Sequence, residues 1–282
     1  MLEGSVRSFV VIAAVAVSAI AGCTATHPLD ETVAGVRRDA REAVRSYTFS
    51  NDEPVELKTT GPLAFDVENF AGNVTIRADR KVTSTVIEAR RGGSHGIGRR
   101  EESDAALKEI NWTATLEPRE GGGDKLVVRS STQSAEPHFL RLDLEILTPA
   151  IDTVKVRSTR GDVVVIENQG VVDIETTRGD VRMMTPWPMT GPITILTSDG
   201  SIDYRVRGES KGAFDCESHG GEVRQRCLFG KWLALDASNN QERLHAVLNG
   251  GTNPVVLRTS GKNIRVAVVA DPIVVGTEIV DP

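Results

Sequence analysis

Three phrases in the second half of the chain, Ser158-Thr159-Arg160-Gly161-Asp162, Thr176-Thr177-Arg178-Gly179-Asp180 and Thr197-Ser198-Asp199-Gly200-Ser201, decide how the whole sequence is read. Aligned on their glycines, with Gly221 as the next member, they recur at 18, 21 and 21 residues, and further steps of 21 and 20 reach Glu242 and Lys262. Apolar residues flank this column at fixed offsets. Seven residues before it stand Val154, Val172, Ile193, Phe214, Leu235 and Val255; five before it stand Val156, Ile174, Ile195, Cys216, Ala237 and Leu257. Two residues after it come Val163, Val181, Ile202, Val223, Leu244 and Ile264, and four after it Val165, Met183, Tyr204, Gln225, Ala246 and Val266. A period of two on both sides of a short turn puts these four columns on the inner faces of two strands. Repetition of the unit stacks like residues on like. The expected fold class is therefore all-β: a β-solenoid-like stack of six two-strand rungs, about 20 residues each, similar to a right-handed parallel β-helix.

The column three before the glycine is polar throughout: Ser158, Thr176, Thr197, Ser218, Asn239 and Thr259. Each can bond turn backbone groups through a side-chain oxygen, so this ladder is structural. Phe65, Val67, Asn69, Val74 and Ile76 repeat the pattern around Gly72 and predict another rung, with strands near 83–90, 109–117, 125–131 and 138–147 between. Glycines and arginines from Arg90 to Asp104 predict a mobile loop, and their spacing lacks the lysine and hydroxyl of a phosphate loop.

Outside the repeat, Phe9–Ile20 is a twelve-residue apolar stretch, too short to span a bilayer but long enough for a secretion signal. It closes on Ile20-Ala21-Gly22-Cys23, which resembles the bacterial lipobox, in which the cysteine thiol receives diacylglycerol before cleavage. Acyl chains contribute about 0.8 kcal/mol per buried methylene, enough to tether a chain without a membrane-spanning helix. The organisation expected is a lipoprotein signal peptide over 1–22, a lipid-anchored tether with a short helix (Glu31–Ser46) over 23–61, the β-solenoid domain over 62–268 and a tail over 269–282. Thr24, rather than aspartate, follows the cysteine, which favours the outer over the inner membrane of the cell envelope.

The net charge of −6 gives no general attraction to nucleic acid. Charge is instead sorted by face: the strand before the turn exposes Asp173, Glu175, Asp215, Glu217 and Asp236, with Lys155, Arg157 and Arg258 at the ends. The strand after it exposes Arg182, Arg205, Arg224, Arg226 and Arg265, opposed by Asp203. On this basis Arg182, Arg205, Arg224 and Arg226 form a candidate ladder for an anionic glycan or envelope protein. No catalytic, cofactor or metal set is expected: the five histidines show no ligand spacing, and no nucleophile stands in a known motif. The two Arg-Gly-Asp tripeptides fall in the same turn of consecutive rungs and read as turn chemistry. Cys216 and Cys227 are expected as two buried, unbridged thiols, because their offsets from the turn place them too far apart for a disulfide.

The Gly72 segment, the three phrases above and the Asn249-Gly250-Gly251 turn before Arg258-Thr259-Ser260-Gly261 together resemble the bacterial "putative adhesin" domains of unknown function, over about residues 62–268. The resemblance implies a repetitive β domain at the cell envelope and carries over no binding residues. The role expected is a non-enzymatic lipoprotein offering an extended β surface for adhesion or scaffolding. An accessory or sensor module of an envelope-stress system and a β-helix enzyme acting on polysaccharide are the alternatives. Substituting Cys23→Ser is expected to shift the chain from the membrane fraction to the soluble fraction, read by detergent phase partition; unchanged partition would refute lipidation at this residue.

Overall fold

Alternation on both sides of a glycine turn demands a strand pair per turn, and the computed structural model, which describes residues 46–273 apart from 60, 97, 120 and 121, contains those pairs. Ahead of the repeat lie Ser46–Asn51 (β1), Val55–Leu57 (β2), Leu63–Asn69 (β3), Val74–Ala78 (β4), Thr85–His95 (β5), the helix Arg100–Leu107 (α1), Ile110–Pro118 (β6), Asp124–Thr132 (β7) and Leu140–Thr148 (β8). The repeat supplies Ile151–Arg160 (β9), Val163–Ile166 (β10), Val172–Arg178 (β11), Val181–Met184 (β12), Ile193–Asp199 (β13) and Ile202–Arg207 (β14). It continues with Gly212–Ser218 (β15), Val223–Cys227 (β16), Trp232–Leu235 (β17), Arg243–Leu248 (β18), Pro254–Thr259 (β19) and Ile264–Val269 (β20). The fold is nearly all-β and solenoid-like.

Two sheets result, one ordered β1-β5-β8-β4-β10-β12-β14-β20-β16 with β2 also on β5, the other β17-β18-β15-β19-β13-β11-β9-β3-β7-β6. The registers match the sequence columns: Val74, Val163, Val181, Ile202, Ile264 and Val223 align across the first sheet. Phe65, Val154, Val172, Ile193, Val255 and Phe214 align across the second. Their inward side chains merge into one aliphatic core running from Leu63 to Val268.

The turn column explains the repeat. A Cβ on Gly161 would run into the carbonyl of Gly72, one on Gly179 into that of Gly161, and one on Gly200 into that of Gly179. Gly161 and Gly179 also hold positive φ (122° and 147°), whereas Gly200 does not, so close backbone approach is the requirement common to all three. Three residues before the turn column stands a buried hydroxyl: Thr197 Oγ1 donates to Gly179 O (3.1 Å), Thr259 Oγ1 to Gly200 O (2.7 Å) and Ser218 Oγ to Lys262 O (2.6 Å). A second ladder follows the glycine. Asn73 Oδ1 accepts from Asp162 N (3.0 Å), Asp162 Oδ1 from Asp180 N (2.9 Å), and Asp180 Oδ1 from Ser201 N (2.8 Å). The aspartates of both Arg-Gly-Asp tripeptides are thus spent on the amide of the next rung, which is the turn role read from the sequence.

Three expectations change. First, the rungs are not stacked in chain order: β19 and β20 insert between β13–β14 and β15–β16. A parallel strand with matching columns fits equally well beside any rung of the same pattern, so periodicity alone cannot order them. The link that skips this position is pinned by Asn249, whose Nδ2 donates to Gly208 O (2.7 Å) and Ser210 O (2.8 Å). Second, the segment around Glu242 is no parallel rung. β17 and β18 form an antiparallel hairpin on β15, which leaves Leu235 exposed while Leu244 and Ala246 stay buried. Third, residues 46–57, read as tether, pair antiparallel with β5 as β1 and β2, and Asp52 accepts from Arg91 and from Trp112 Nε1 (2.6 Å). The region read as a mobile loop is the end of β5 followed by α1. Gly92 and Gly93 admit Phe49 and Ser103 of α1 against the strand.

Cys23, the signal segment, the helix over 31–45 and residues 274–282 lie outside the described residues; Ser46, its expected last residue, begins β1. Cys216 and Cys227 are free thiols as expected, though only Cys216 is fully buried, and burial pushes it up to about 12.

Gly200→Ala is expected to cost about 3 kcal/mol through overpacking. Gly61→Ala, at φ 77° with nothing within 4 Å, is expected to cost about 1 kcal/mol. Urea unfolding of both variants checks this, and equal losses would refute the steric account.

Candidate functional site

The outward side chains of the second sheet are charged, and the rung order decides how those charges meet. Arg129 of β7 reaches Asp66 (3.1 Å) and Glu68 (3.4 Å) on β3. Arg157 of β9 reaches Asp173 (2.5 Å) and Glu175 (3.2 Å) on β11. Arg258 of β19 reaches Asp215 and Glu217 (3.6 Å) on β15. In each case Nη1 also donates to the backbone carbonyl of the aspartate, at 2.7, 3.0 and 2.9 Å. One arginine thus clamps an Asp-x-Glu tripeptide on the next strand, and the motif occurs three times. Arg243 adds a bond to Glu217 (2.5 Å), and this, with Arg258 beside it, holds the Glu217 carboxyl below the usual carboxylate range. The acidic middle expected on this face is therefore neutralised strand by strand. The signal was present as Asp66-Val67-Glu68, Asp173-Ile174-Glu175 and Asp215-Cys216-Glu217, but pairing each with its arginine required the true neighbour order.

The four arginines proposed as a ladder separate into two groups. Across the first sheet Arg182 faces Asp203, Asp203 faces Arg265, and Arg265 faces Arg224. Arg182 pairs with Asp203 (3.5 Å), and Arg205, buried at 4% exposure, holds the same carboxylate with Nε at 3.0 Å and Nη2 at 2.7 Å. Arg205 is an internal partner of Asp203 and is covered, so it is not the exposed side chain expected. Ala267 separates it from Arg226 in the next row, so no continuous line of arginines forms.

Arg224 and Arg226 meet elsewhere. At the carboxy-terminal end of the stack a cleft of about 690 Å³ opens between β16 and the β17–β18 hairpin, lined by Arg224, Arg226, Arg243 and Arg265 together with Val223, Leu235 and Leu244. No carboxylate lines it. Arg224 pairs with Glu222 beyond the rim (2.9 Å), and Arg226 has no ion pair among the described residues. Trp232 Nε1 donates to Gln225 Oε1 (2.7 Å) across the end, and the indole packs edge-on to Phe214 with centroids 5.1 Å apart. Around this tip Leu228, Phe229, Leu233 and Leu235 are 52–57% exposed, a cluster that the column reading assigned partly to the core. It is exposed because the parallel stack has no further rung here to cover it. Among the described residues no histidine, cysteine, aspartate and glutamate side chains group as a metal ion requires, and no helix is long and apolar enough to cross a membrane.

Fold and site define a class: a two-sheet, solenoid-like β domain with hydrogen-bonded turn ladders, internally paired charged faces and a basic cleft at one end. Within that class the chain belongs to the Toastrack DUF4097 family, whose model matches residues 65–267. Two solved structures are similar. One is described as a "putative cell adhesion protein" from Clostridium sporogenes, with 10% identity, a TM-score of 0.48, and coverage of 80% of this chain and 100% of that one. The other is described as a "putative adhesin" from Bacteroides fragilis, with 12% identity, a TM-score of 0.27, and coverage of 79% and 97%. No curated protein matches the chain.

Removing the carboxylate that Arg205 holds through Nε and Nη2 takes that ion pair from a buried guanidinium. Asp203→Ala is expected to destabilise the domain by about 3 kcal/mol. Arg224→Ala, which breaks an exposed pair, is expected to cost at most about 0.5 kcal/mol. Denaturant titration separates the two, and a small loss for Asp203→Ala would contradict the assignment of Arg205 as an internal partner.

Proposed function

We propose that this chain is a non-enzymatic lipoprotein of the cell envelope, held to the membrane through Cys23 and acting in adhesion or scaffolding through the carboxy-terminal end of its β domain. The observation that carries the reading is the end cleft: four arginines and no carboxylate line it in a chain whose net charge is −6, and exposed Leu235 is part of its lining. Clustered guanidinium groups beside apolar surface suit a partner that presents carboxylate or other anionic groups, whether an anionic glycan or an envelope protein. Arginines on the rest of the charged surface are largely committed to carboxylates of neighbouring strands, as Arg243 of the cleft is to Glu217, whereas Arg226 has no ion pair among the described residues. The cleft lies at the β16 edge of the first sheet, the edge opposite β1, and within the envelope the outer membrane is favoured.

The test replaces Arg224 and Arg226 together by glutamate. Retention of the purified domain on washed envelopes at low salt is expected to fall at least about tenfold, while Lys155→Glu on the second sheet leaves it unchanged. Equal retention of the double variant and the parent would overturn this reading.

A further inference from the structure

Among the described residues, three of the four sheet edges end in antiparallel strands: β1 on β5, β6 on β7 and β17 on β18. The fourth is β16, a parallel strand whose only partner among the described residues is β20. Register fixes which of its backbone groups are unused. Ile264 N donates to Glu222 O (2.9 Å) and Leu228 N to Val268 O (2.9 Å), with Val223 opposite Ile264 and Cys227 opposite Val268. In a parallel ladder alternate residues bond the same neighbour, so the amides and carbonyls of Val223, Gln225 and Cys227 point away from β20. The Val223 amide is taken by Gln241 O (2.6 Å), whereas Gln225 lies in the lining of the cleft.

Side chains alternate along the same edge. Val223 and Gln225 share a face, with Leu235 and Leu244 of the hairpin also lining the cleft, and Arg224 and Arg226 take the opposite face beside Arg265. A strand laid along β16 would therefore direct every second side chain to apolar surface and the others to guanidinium groups. Two copies of β16 edge to edge would instead bring Arg224 and Arg226 against their own duplicates, a like-charge pairing that disfavours self-association.

Resting on the reading of the cleft as the binding site, we infer that its ligand is an extended polypeptide segment of another protein, alternating apolar and acidic residues, which adds to the first sheet as a strand on β16. Backbone bonds at Gln225 supply the pairing, and the arginines select carboxylates.

The experiment measures binding of a short synthetic peptide alternating valine and glutamate to the full chain by fluorescence anisotropy. Gln225→Pro removes the outward amide without breaking a bond to β20. Gln225→Ala keeps that amide while losing the same side chain, and thermal unfolding of both confirms that they fold. The inference expects binding to weaken about tenfold or more in Gln225→Pro and to stay within about twofold in Gln225→Ala. It is overturned if the two variants weaken alike, or if a proline-interrupted peptide binds as well as the intact one. It is overturned equally if a sulfated polysaccharide binds the cleft more tightly than the peptide and ignores Gln225→Pro, or if the chain dimerises through this edge. Loss of envelope retention in the arginine double variant without peptide binding would leave the cleft as the site and remove strand addition alone.

Discussion

Everything in this domain depends on how closely the turns approach one another. Strands in a sheet lie about 4.8 Å apart, and at the turn column that spacing leaves no room for a Cβ between Gly161, Gly179 and Gly200 and the carbonyl of the preceding rung. Once glycine is imposed there, the flanking positions are fixed in register, and the apolar columns must superimpose. The hydroxyl and carboxylate ladders then occupy the backbone groups that a tight turn leaves without partners. Each feature that made the repeat visible is a local answer to that one steric condition.

Charge follows from the same stacking. The outer faces of a solenoid bring side chains of successive rungs within one strand spacing, so a carboxylate either finds a guanidinium next door or meets another carboxylate. The three Asp-x-Glu clamps take the first course, and the shared use of Asp203 by Arg182 and Arg205 takes it further by burying one partner. These pairs fix the identity of neighbours as much as they stabilise, since a rung in the wrong place would set like charges side by side. Surface committed in this way is unavailable to a ligand. The tip differs because the parallel stack ends there: Arg226 faces an opening, while Arg224 and Arg243 beside it hold Glu222 and Glu217.

Much of this was legible in the sequence. The period, the four inward columns, the polar ladder, the Gly72 rung and the structural reading of the Arg-Gly-Asp turns all rest on alternation and turn chemistry, which act within about twenty residues. What escaped is non-local. A row of Val255, Leu257, Ile264 and Val266 carries no mark of which rung it will lie against, so the insertion of β19 and β20 was hidden, and with it the pairing of Arg258 to Asp215 and Glu217. Parallel and antiparallel strands share the same alternation, which is why Leu235 was placed in the core; for Arg205, on a parallel strand, alternation gave the outward face but not the cover that leaves it 4% exposed. Of the four arginines singled out, Arg224 and Arg226 do stand at the cleft; Arg182 and Arg205 belong to Asp203, and Arg243, which completes the cleft, lies on the hairpin that alternation could not distinguish from a rung.

The inserted rung has a kinetic meaning. A stack laid down in chain order could zip up progressively as its residues emerged from the ribosome or a translocation channel, each rung templating the next. Here the positions between β13 and β15 and between β14 and β16 stay vacant until residues 254–269 have been made, and until then four strand edges face empty slots. Assembly must wait for the last strands, which close the domain as a keystone closes an arch. Such an order raises the sequence separation of native contacts and slows folding. It also makes the nearly complete chain the species most in need of shielding from other strands.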